Sequence, residues 1–450
     1  MTDADLKSQT VDRSNDQLQR ALEQAEAAYV ARTPNSAKEY DKSCAHLPGG
    51  NTRTVIHFAP YPLRIVSAKG AELTDADGTV YCDFLGEYSA GLYGHSEPKI
   101  IEAAHRALDN GIVFGGPNLH EIELADLLCD RFASLDRVRF TNSGTEANLM
   151  ALGAARAHTG RDKILVFEGG YHGGVLYMAP YAARINAPFD FIYGRYNDLD
   201  ETLARVGERA GDVAAILLEP MMGGGGGITA ETEFLRGLRD FADRTGAVLI
   251  FDEVMTSRLG RGGLQGEYNV IPDMTTLGKY LGGGLTFGAF GGREDIMAQF
   301  DPRAENPLPH AGTFNNNVLS MAAGVAGLRD VFTPDAADQL RDRGNGFRDR
   351  LNAIIAERGV TAQAKGYGSI MCLHFQTGEI NRPEDTAATR PEARRLFHLE
   401  MLARGIYVAA RGFMTLSVAL TDEHLERFYQ AFDEILATHG DLFTEQETSD

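Results

Sequence analysis

One lysine of this chain stands where an amine can act as a covalent catalyst. Lys279 lies in the sequence TTLGKYLGGG, after a short apolar segment and before the glycines at 282–284. Glycine lets the backbone turn sharply and approach a ligand closely, and it leaves the amine uncrowded. Such an amine, with a lowered pKa, can form a Schiff base with a carbonyl compound. A solvated surface charge is the alternative for any lysine, but the chain has only 8 lysines, so few others compete.

Two acidic residues follow apolar runs that have the character of buried strands. Asp252 follows the run 247–251, and Glu219 follows the run 214–218. Because ligands bind at the carboxyl ends of parallel strands, we expect both side chains to reach one crevice. A carboxylate there can pair with the ring nitrogen of pyridoxal phosphate, whose protonated form is the better electron sink. The structural alternative for Asp252 is the N-cap of a helix.

Two further segments could bind parts of a cofactor. The turn 141–147, TNSGTEA, joins a predicted strand to a predicted helix that runs to about His158. Backbone N–H groups at such a helix N-terminus bind phosphate well, although the same letters also make a capping box. Tyr171, in GGYHGG, could stack on a planar ring or belong to the core. The glycines at 223–227 open no GxGxxG helix, which disfavours NAD.

These residues need a framework that holds strand ends side by side. Between about 98 and 330, short apolar runs alternate with amphipathic helices, which indicates a largely parallel sheet covered by helices. The runs are 138–141, 163–167, 214–218, 248–251 and 287–290. A charged helix around 16–31 and two strands, 63–68 and 79–84, precede them. Helices at 318–332, 336–358, 391–404 and from Asp422, with strands at 370–375 and 413–420, follow.

The pattern predicts an α/β fold with a second, smaller α+β domain. A chain of 450 residues is too long for one ordinary compact domain. We expect an N-terminal segment at 1–72, a large ligand-binding domain at 73–317 and a C-terminal small domain at 318–450. The first and last of these should pack together.

Composition and charge exclude several classes of protein. A net charge of −20 leaves no basic face for nucleic acid, and no apolar run reaches the ~20 residues of a membrane span. The N-terminus is polar and acidic, unlike a signal or transit peptide. The four scattered cysteines form no CxxC pair. We therefore expect free thiols in a reducing cytoplasm and no metal site.

Six segments together resemble one enzyme family. NSGTEA, YHGG, LLEP, FDEVMTS, TTLGKYLGGG and GTFNNN, in this order and spacing, resemble the class III pyridoxal-phosphate aminotransferases of fold type I over nearly the whole chain. Within that class the chain is similar to the glutamate-1-semialdehyde aminomutase-like branch. The segments GGNTRTVIHFAPYPL, EYSAGLYGHSEP and ARGF further resemble β-amino-acid aminotransferases that act on β-phenylalanine. The resemblance implies pyridoxal 5'-phosphate as cofactor and a homodimer.

The same resemblance implies a role for each matching residue. Lys279 would hold the cofactor covalently and move the proton between substrate and cofactor, while Asp252 would pair with the ring nitrogen. Many class III members carry glutamine, near the ring hydroxyl, at the position of Met222. The remaining implied roles are phosphate binding by Ser143, Gly144 and Thr145, cover of the ring by Tyr171, and contact of Thr313 with the phosphate of the neighbouring subunit.

Two arginines bear on the substrate. Arg53, after the turn Pro48-Gly49-Gly50, and Arg411, before the run 413–420, fall where the resembling β-amino-acid enzymes place guanidinium groups for substrate carboxylates. Arginine suits this role because it can pair with a carboxylate in two places. The expected reaction is amino transfer from an aromatic β-amino acid to a 2-oxo acid such as 2-oxoglutarate.

Two other functions remain open from the sequence. The first is a glutamate-1-semialdehyde 2,1-aminomutase, an isomerase; the stretch 221–224, MMGG, stands where its Ala-Gly-Asn motif is expected and disfavours it. The second is a catalytically inactive protein of the same fold that serves as a binding partner. The joint presence of Lys279 and Asp252 argues against the second alternative.

Overall fold

The computed structural model describes residues 3–443. Its strands, in chain order, are β1 (Ile65–Lys69), β2 (Glu72–Asp75), β3 (Val80–Asp83), β4 (Arg137–Thr141), β5 (Lys163–Phe167), β6 (Asp190–Gly194), β7 (Val213–Leu218), β8 (Met221–Met222), β9 (Ile228–Thr229), β10 (Val248–Asp252), β11 (Met274–Gly278), β12 (Gly288–Gly292), β13 (Gln363–Tyr367), β14 (Ile370–His374), β15 (Ile406–Tyr407) and β16 (Phe413–Thr415). Its α-helices are α1 (Asp3–Arg32), α2 (Pro34–Cys44), α3 (Pro98–Asn110), α4 (Leu119–Arg131), α5 (Gly144–Thr159), α6 (Leu199–Val206), α7 (Thr232–Thr245), α8 (Gly263–Tyr268), α9 (Glu294–Met297), α10 (Val318–Ala326), α11 (Pro334–Arg358), α12 (Pro391–Ala403) and α13 (Asp422–Phe443).

A seven-stranded sheet forms the centre of the molecule, in the order β4-β12-β11-β10-β7-β5-β6. The strands from β11 to β6 run parallel to one another. Strand β12 is antiparallel to both of its neighbours, β11 and β4. The mostly parallel sheet predicted from the apolar runs is therefore confirmed. One of the strands predicted from these runs, β12, is antiparallel to its neighbours.

The parallel strands are buried on both faces, as their continuous apolar character predicts. Ile164 and Val166 of β5 lie in a cluster with the alanines of α5, whereas Leu165 and Phe167 lie in a second cluster with Phe234 and its neighbours in α7. Alternate residues of a strand point to opposite faces, so each strand contributes to both layers of helix packing.

Strands from both ends of the chain meet in a smaller sheet. Its order is β1-β2-β3-β15, and β15 pairs with β3 in parallel. A three-stranded antiparallel sheet, β13-β14-β16, packs beside α11. The predicted α+β unit built from both chain ends is thus present. The expected border at 72/73 falls inside β2; because β1, β2 and β3 share one sheet, we propose a border after Asp83.

Three predicted elements differ from the structure in their extent. The expected helix 318–332 is α10 followed by a π-helical turn, Gly327–Val331. The expected strand 413–420 ends at Thr415, because the Leu416 carbonyl accepts a hydrogen bond from the Arg258 guanidinium instead of a strand neighbour. The predicted N-terminal helix is longer than 16–31 and begins at Asp3. Within residues 3–443, no helix is both long and apolar enough to cross a membrane.

Candidate active site

Three functional side chains lie at the carboxyl ends of adjacent strands. Glu219 follows β7, Asp252 ends β10 and Lys279 follows β11, and these strands are neighbours in the sheet. The crevice predicted from the sequence therefore exists, since parallel strands bring their carboxyl ends to one edge. The sequence alone did not predict β11, because it contains two threonines; both are buried through hydroxyl contacts, Thr275 with Ser134 and Thr276 with Asn148.

Lys279 is held in a backbone conformation that few residues adopt. Its φ of 56° lies in the left-handed region, at the start of the 3-10 turn Lys279–Gly282. Such a conformation costs energy in a non-glycine residue and often marks a functional site. Burial away from water lowers the pKa of the Lys279 amine, and the positive charges of Arg258 and Arg411 lower it further. The negative charges of Asp252 and Glu219 act in the opposite direction and raise it. The surroundings therefore favour a neutral, nucleophilic amine.

Asp252 is buried and fixed by three hydrogen-bond partners. Its Oδ2 accepts from Asn148 Nδ2 at 2.8 Å and lies 2.8 Å from His172 Nδ1. Its Oδ1 accepts the Val254 N–H at 3.0 Å. The Thr276 hydroxyl orients Asn148 in turn, at 2.7 Å from its Oδ1. This carboxylate is consequently locked in one orientation, as a partner for a ring nitrogen must be.

Asn148 is a site residue that the sequence reasoning missed. It lies on the buried face of α5, beside Ala147 and Ala151, and is 1% exposed. A polar residue among buried alanines needs a hydrogen-bond partner, and that signal was available in the sequence. His172 belongs to a motif that the sequence singles out, but its contact with Asp252, 80 residues away, is a product of the fold.

The pKa of the Glu219 carboxyl group is strongly raised. Burial raises its pKa from 4.5 to about 7, and the Asp252 charge acts in the same direction. Three groups lower the pKa and so oppose this rise: His172, Lys279 and the Tyr171 N–H, which lies 3.4 Å from the carboxylate. Glu219 therefore changes its protonation near neutral pH, which is typical of acids at catalytic sites.

The turn before α5 has the geometry of an anion site. Ser143 is the N-cap, and its Oγ accepts the Glu146 N–H at 3.2 Å. The Thr145 hydroxyl accepts the Gly174 N–H at 3.3 Å. Among the described residues, no acceptor takes the N–H groups of Gly144 and Thr145. These groups begin a 16-residue helix, so they can bind a phosphate together with the helix dipole.

Tyr171, Met222 and Thr313 differ in their positions. Tyr171 is 46% exposed and its ring meets that of Tyr177 edge to face, with 5.2 Å between centroids. Met222 is buried in the apolar cluster on the α7 side of the sheet. Thr313 is exposed, and its loop is tied to the same chain through Asn315, whose Oδ1 accepts from Asn142 at 3.0 Å. Within residues 3–443, no hydrogen bond joins Thr313 to a side chain of the candidate site.

The two arginines predicted to bind substrate contact adjacent residues of one short segment. Arg53 Nη1 is 2.6 Å from the Glu87 carboxylate. The Arg411 guanidinium lies 5.3 Å from the Tyr88 ring centre and 5.2 Å from that of Phe413, beside these two stacked rings. Arg411 also donates to the Gly224 carbonyl at 3.4 Å, and its positive charge lowers the pKa of the Lys279 amine. Sequence reasoning assigned no role to Glu87 or Tyr88.

A family model for aminotransferase class-III matches residues 57–436. The chain belongs to the class III aminotransferases. It is 48% identical over 425 residues to a β-phenylalanine transaminase of Variovorax paradoxus, covering 94% of this chain and 98% of that one. The solved β-phenylalanine aminotransferase of that organism superposes with a TM-score of 0.92 over the same shares of the two chains.

More distant relatives cover most of the chain as well. A glutamate-1-semialdehyde 2,1-aminomutase of Sorangium cellulosum is 37% identical over 92% of this chain and 98% of its own. A solved transaminase with pyridoxal phosphate bound is 32% identical, with a TM-score of 0.83 over 90% of this chain and 98% of that one. The family and fold that the motifs predict are confirmed, and the cofactor of this aminotransferase is pyridoxal phosphate.

The residues present suit that cofactor. The Lys279 amine has a lowered pKa, the Asp252 carboxylate is buried and fixed, and the N–H groups at Gly144 and Thr145 have no acceptor among the described residues. An aldehyde, a protonated ring nitrogen and a phosphate need these three kinds of partner.

Proposed function

We propose that this aminotransferase moves the amino group of an aromatic β-amino acid, such as β-phenylalanine, to a 2-oxo acid, with 2-oxoglutarate as the first candidate. The observation that carries the proposal is a pair of guanidinium groups beside one short segment: Arg53 pairs with Glu87, and Arg411 lies by the ring of the next residue, Tyr88. The β-phenylalanine transaminase that is 48% identical supports the choice of donor.

Each residue of the crevice then has one task. Pyridoxal phosphate supplies an aldehyde and an electron-accepting ring. Lys279 is the covalent anchor and afterwards holds and moves a proton at its Nζ, for which its lowered pKa is suited. Asp252 would stabilise a positive charge on the ring nitrogen. The N-terminus of α5, with Ser143, would bind the phosphate, and Tyr171 would cover the ring.

The two arginines serve the two carboxylates in turn. In a β-amino acid the carboxylate is one carbon further from the amine than in an α-amino acid, so its anchor lies away from Lys279. Arg53, in the loop after Pro48, fits that role for the donor. Arg411 meets a carboxylate of the dicarboxylic acceptor and moves aside for an aromatic donor. Gly412, with a φ of 86°, gives its loop a conformation that other residues avoid.

Apolar side chains near these arginines support an aromatic donor. A small pocket is lined by Tyr88 together with residues of the loop after Arg53 and of the segment before Arg411. Its apolar lining residues include Val55, Phe58, Leu85, Tyr407, Val408 and Ala409, and its polar lining residues are His57 and His398. A phenyl ring gains from burial against such side chains.

The proposal includes a homodimer in which Thr313 reaches the phosphate site of the partner subunit. The exposed position of Thr313 beside the exposed Phe314 supports this, because an apolar side chain of that size is suited to an interface. A cytoplasmic location is part of the proposal as well. The free thiols of the described residues, two of them buried, suit a reducing compartment.

A panel of amino donors tests the proposal. The enzyme loaded with pyridoxal phosphate is incubated with 2-oxoglutarate and either β-phenylalanine, β-alanine, 1-phenylethylamine or an α-amino acid, and the glutamate formed is measured. We expect the highest kcat/KM for β-phenylalanine. Glutamate-1-semialdehyde without an acceptor is the matched control for the aminomutase function. Its conversion to 5-aminolevulinate at a higher rate would overturn the proposal.

A further inference from the structure

The segment 87–89, which contacts both arginines, is strained. Glu87, Tyr88 and Ser89 have φ angles of 49°, 53° and 78°, so three successive residues with side chains lie in the left-handed region. This conformation is costly for a residue with a side chain, and it persists only where the surrounding structure fixes it.

Arg258 is one of the groups that fix the segment. It is fully buried, and no carboxylate of the described residues pairs with it. Its Nη1 donates to the Ser89 carbonyl at 2.9 Å, and its Nε donates to the Ser369 hydroxyl at 3.1 Å. Ser369 belongs to the turn between β13 and β14, so Arg258 ties the strained segment to the small domain.

A second contact, made by the Tyr88 side chain, also fixes the segment. Its hydroxyl donates to the Val55 carbonyl at 2.8 Å, two residues after Arg53. The strained segment therefore has a fixed relation to the loop that carries the arginine. Glu87 is consequently not an ordinary surface glutamate, because its backbone is held beside that guanidinium.

The ion pair between Glu87 and Arg53 is short but exposed. Its N–O distance is 2.6 Å, while 57% of the Glu87 side chain and 45% of the Arg53 side chain are exposed. Pairs of this kind contribute little net stability, since water competes for both charges. A second carboxylate can therefore take the place of Glu87, and the released acid returns to water at small cost.

We propose that Glu87 lowers the preference of the site for carboxylate ligands over carboxylate-free amines: it occupies the Arg53 guanidinium until a substrate carboxylate displaces it. The inference rests on the proposed role of Arg53 in substrate binding. In both states the guanidinium has one carboxylate partner, so the exchange leaves its charge paired. Glu87 then acts as an internal competitor, which weakens the binding of every carboxylate ligand that uses Arg53.

Binding of a carboxylate without an amine tests this directly. The probe is 3-phenylpropanoate, which carries the aromatic ring and carboxylate of the donor, and its Kd for the holoenzyme is measured by calorimetry. Removal of an exposed ion-pair competitor predicts binding about two- to five-fold tighter in Glu87→Gln than in the wild type. In an Arg53→Ala background, Glu87→Gln should leave the Kd unchanged.

The chain offers a matched control pair. Arg137 and Glu294 are 2.6 Å apart, with 50% and 64% of their side chains exposed. Glu294→Gln removes the same charge in the same kind of pair, at a distance from the strained segment, and should leave the Kd unchanged. A circular dichroism spectrum and melting temperature like those of the wild type show that each variant is folded.

Two results would overturn the inference. The first is equal or weaker binding in Glu87→Gln: equal binding would mean that Glu87 does not compete for Arg53, and weaker binding would mean that it prepares Arg53 for the ligand. The second is equal tightening in Glu294→Gln, which would reduce the effect to net charge. These outcomes are separate from the proposed function, which fails if the wild type does not transaminate β-phenylalanine, whatever the probe shows.

Discussion

Glu219→Gln should make the cofactor-free protein more stable in a strictly pH-dependent way. Folding raises the pKa of Glu219 from 4.5 to about 7, chiefly through burial. The folded state thus binds a proton more tightly than the unfolded state. Stability is unaffected by this group below pH 4.5, falls between pH 4.5 and 7, and stays lowered above pH 7.

The magnitude follows from the same two values. At 1.36 kcal/mol for each pH unit, the ionised Glu219 costs the folded state about 3 kcal/mol at pH 8. Glutamine keeps the size of the side chain and removes the charge, so it should recover most of this at pH 8 and almost none at pH 5. The residue is 6% exposed, so water screens the effect little.

Chemical denaturation of the cofactor-free wild type and variant at pH 5 and pH 8 measures the difference. Glu384→Gln, at an exposed ion pair with Arg195, is a control for a general charge effect. A stability gain of the same size at both pH values, or none at pH 8, would refute the account of the Glu219 environment.

Four further outcomes are expected. Lys279→Ala should abolish turnover, and borohydride reduction of the holoenzyme with peptide mapping should find the label on Lys279; a label on another lysine would contradict this. Asp252→Asn should keep the fold and lower kcat about 10²- to 10³-fold, because the ring nitrogen loses its charged partner; near-normal turnover would assign that role elsewhere. Arg53→Ala should lower kcat/KM for β-phenylalanine roughly 10- to 150-fold, as expected for one charge-assisted contact, against little change for 1-phenylethylamine. Arg411→Ala should impair the 2-oxoglutarate half-reaction more than the donor half-reaction in stopped-flow measurements, and equal losses in both would refute the division of roles.

The sequence predicts the central sheet well because burial on both faces leaves a simple mark. The apolar run 163–167 coincides with β5, and the run 248–251 lies within β10. It does not predict β6, an edge strand in which exposed and buried residues alternate irregularly. It also misses β11, where threonines replace aliphatic residues and bond through their hydroxyls.

The parts of the candidate site that the sequence does not predict depend on contacts between distant parts of the chain. Lys279 and Asp252 stand out by their own neighbours in the sequence. The partners that position them do not, because Asn148 reaches Asp252 across 104 residues, and Glu87 reaches Arg53 only through the fold. The raised pKa of Glu219 likewise depends on burial that its sequence neighbours do not reveal.

The most direct test of the central claim separates the two half-reactions of the wild type. The pyridoxal form of the holoenzyme is mixed with β-phenylalanine alone, and the cofactor spectrum and the 3-oxo-3-phenylpropanoate formed are followed. The account predicts one equivalent of product per site, and glutamate in equal amount once 2-oxoglutarate is added. The account would be contradicted if β-phenylalanine left the cofactor spectrum unchanged while glutamate-1-semialdehyde fully converted the pyridoxal form.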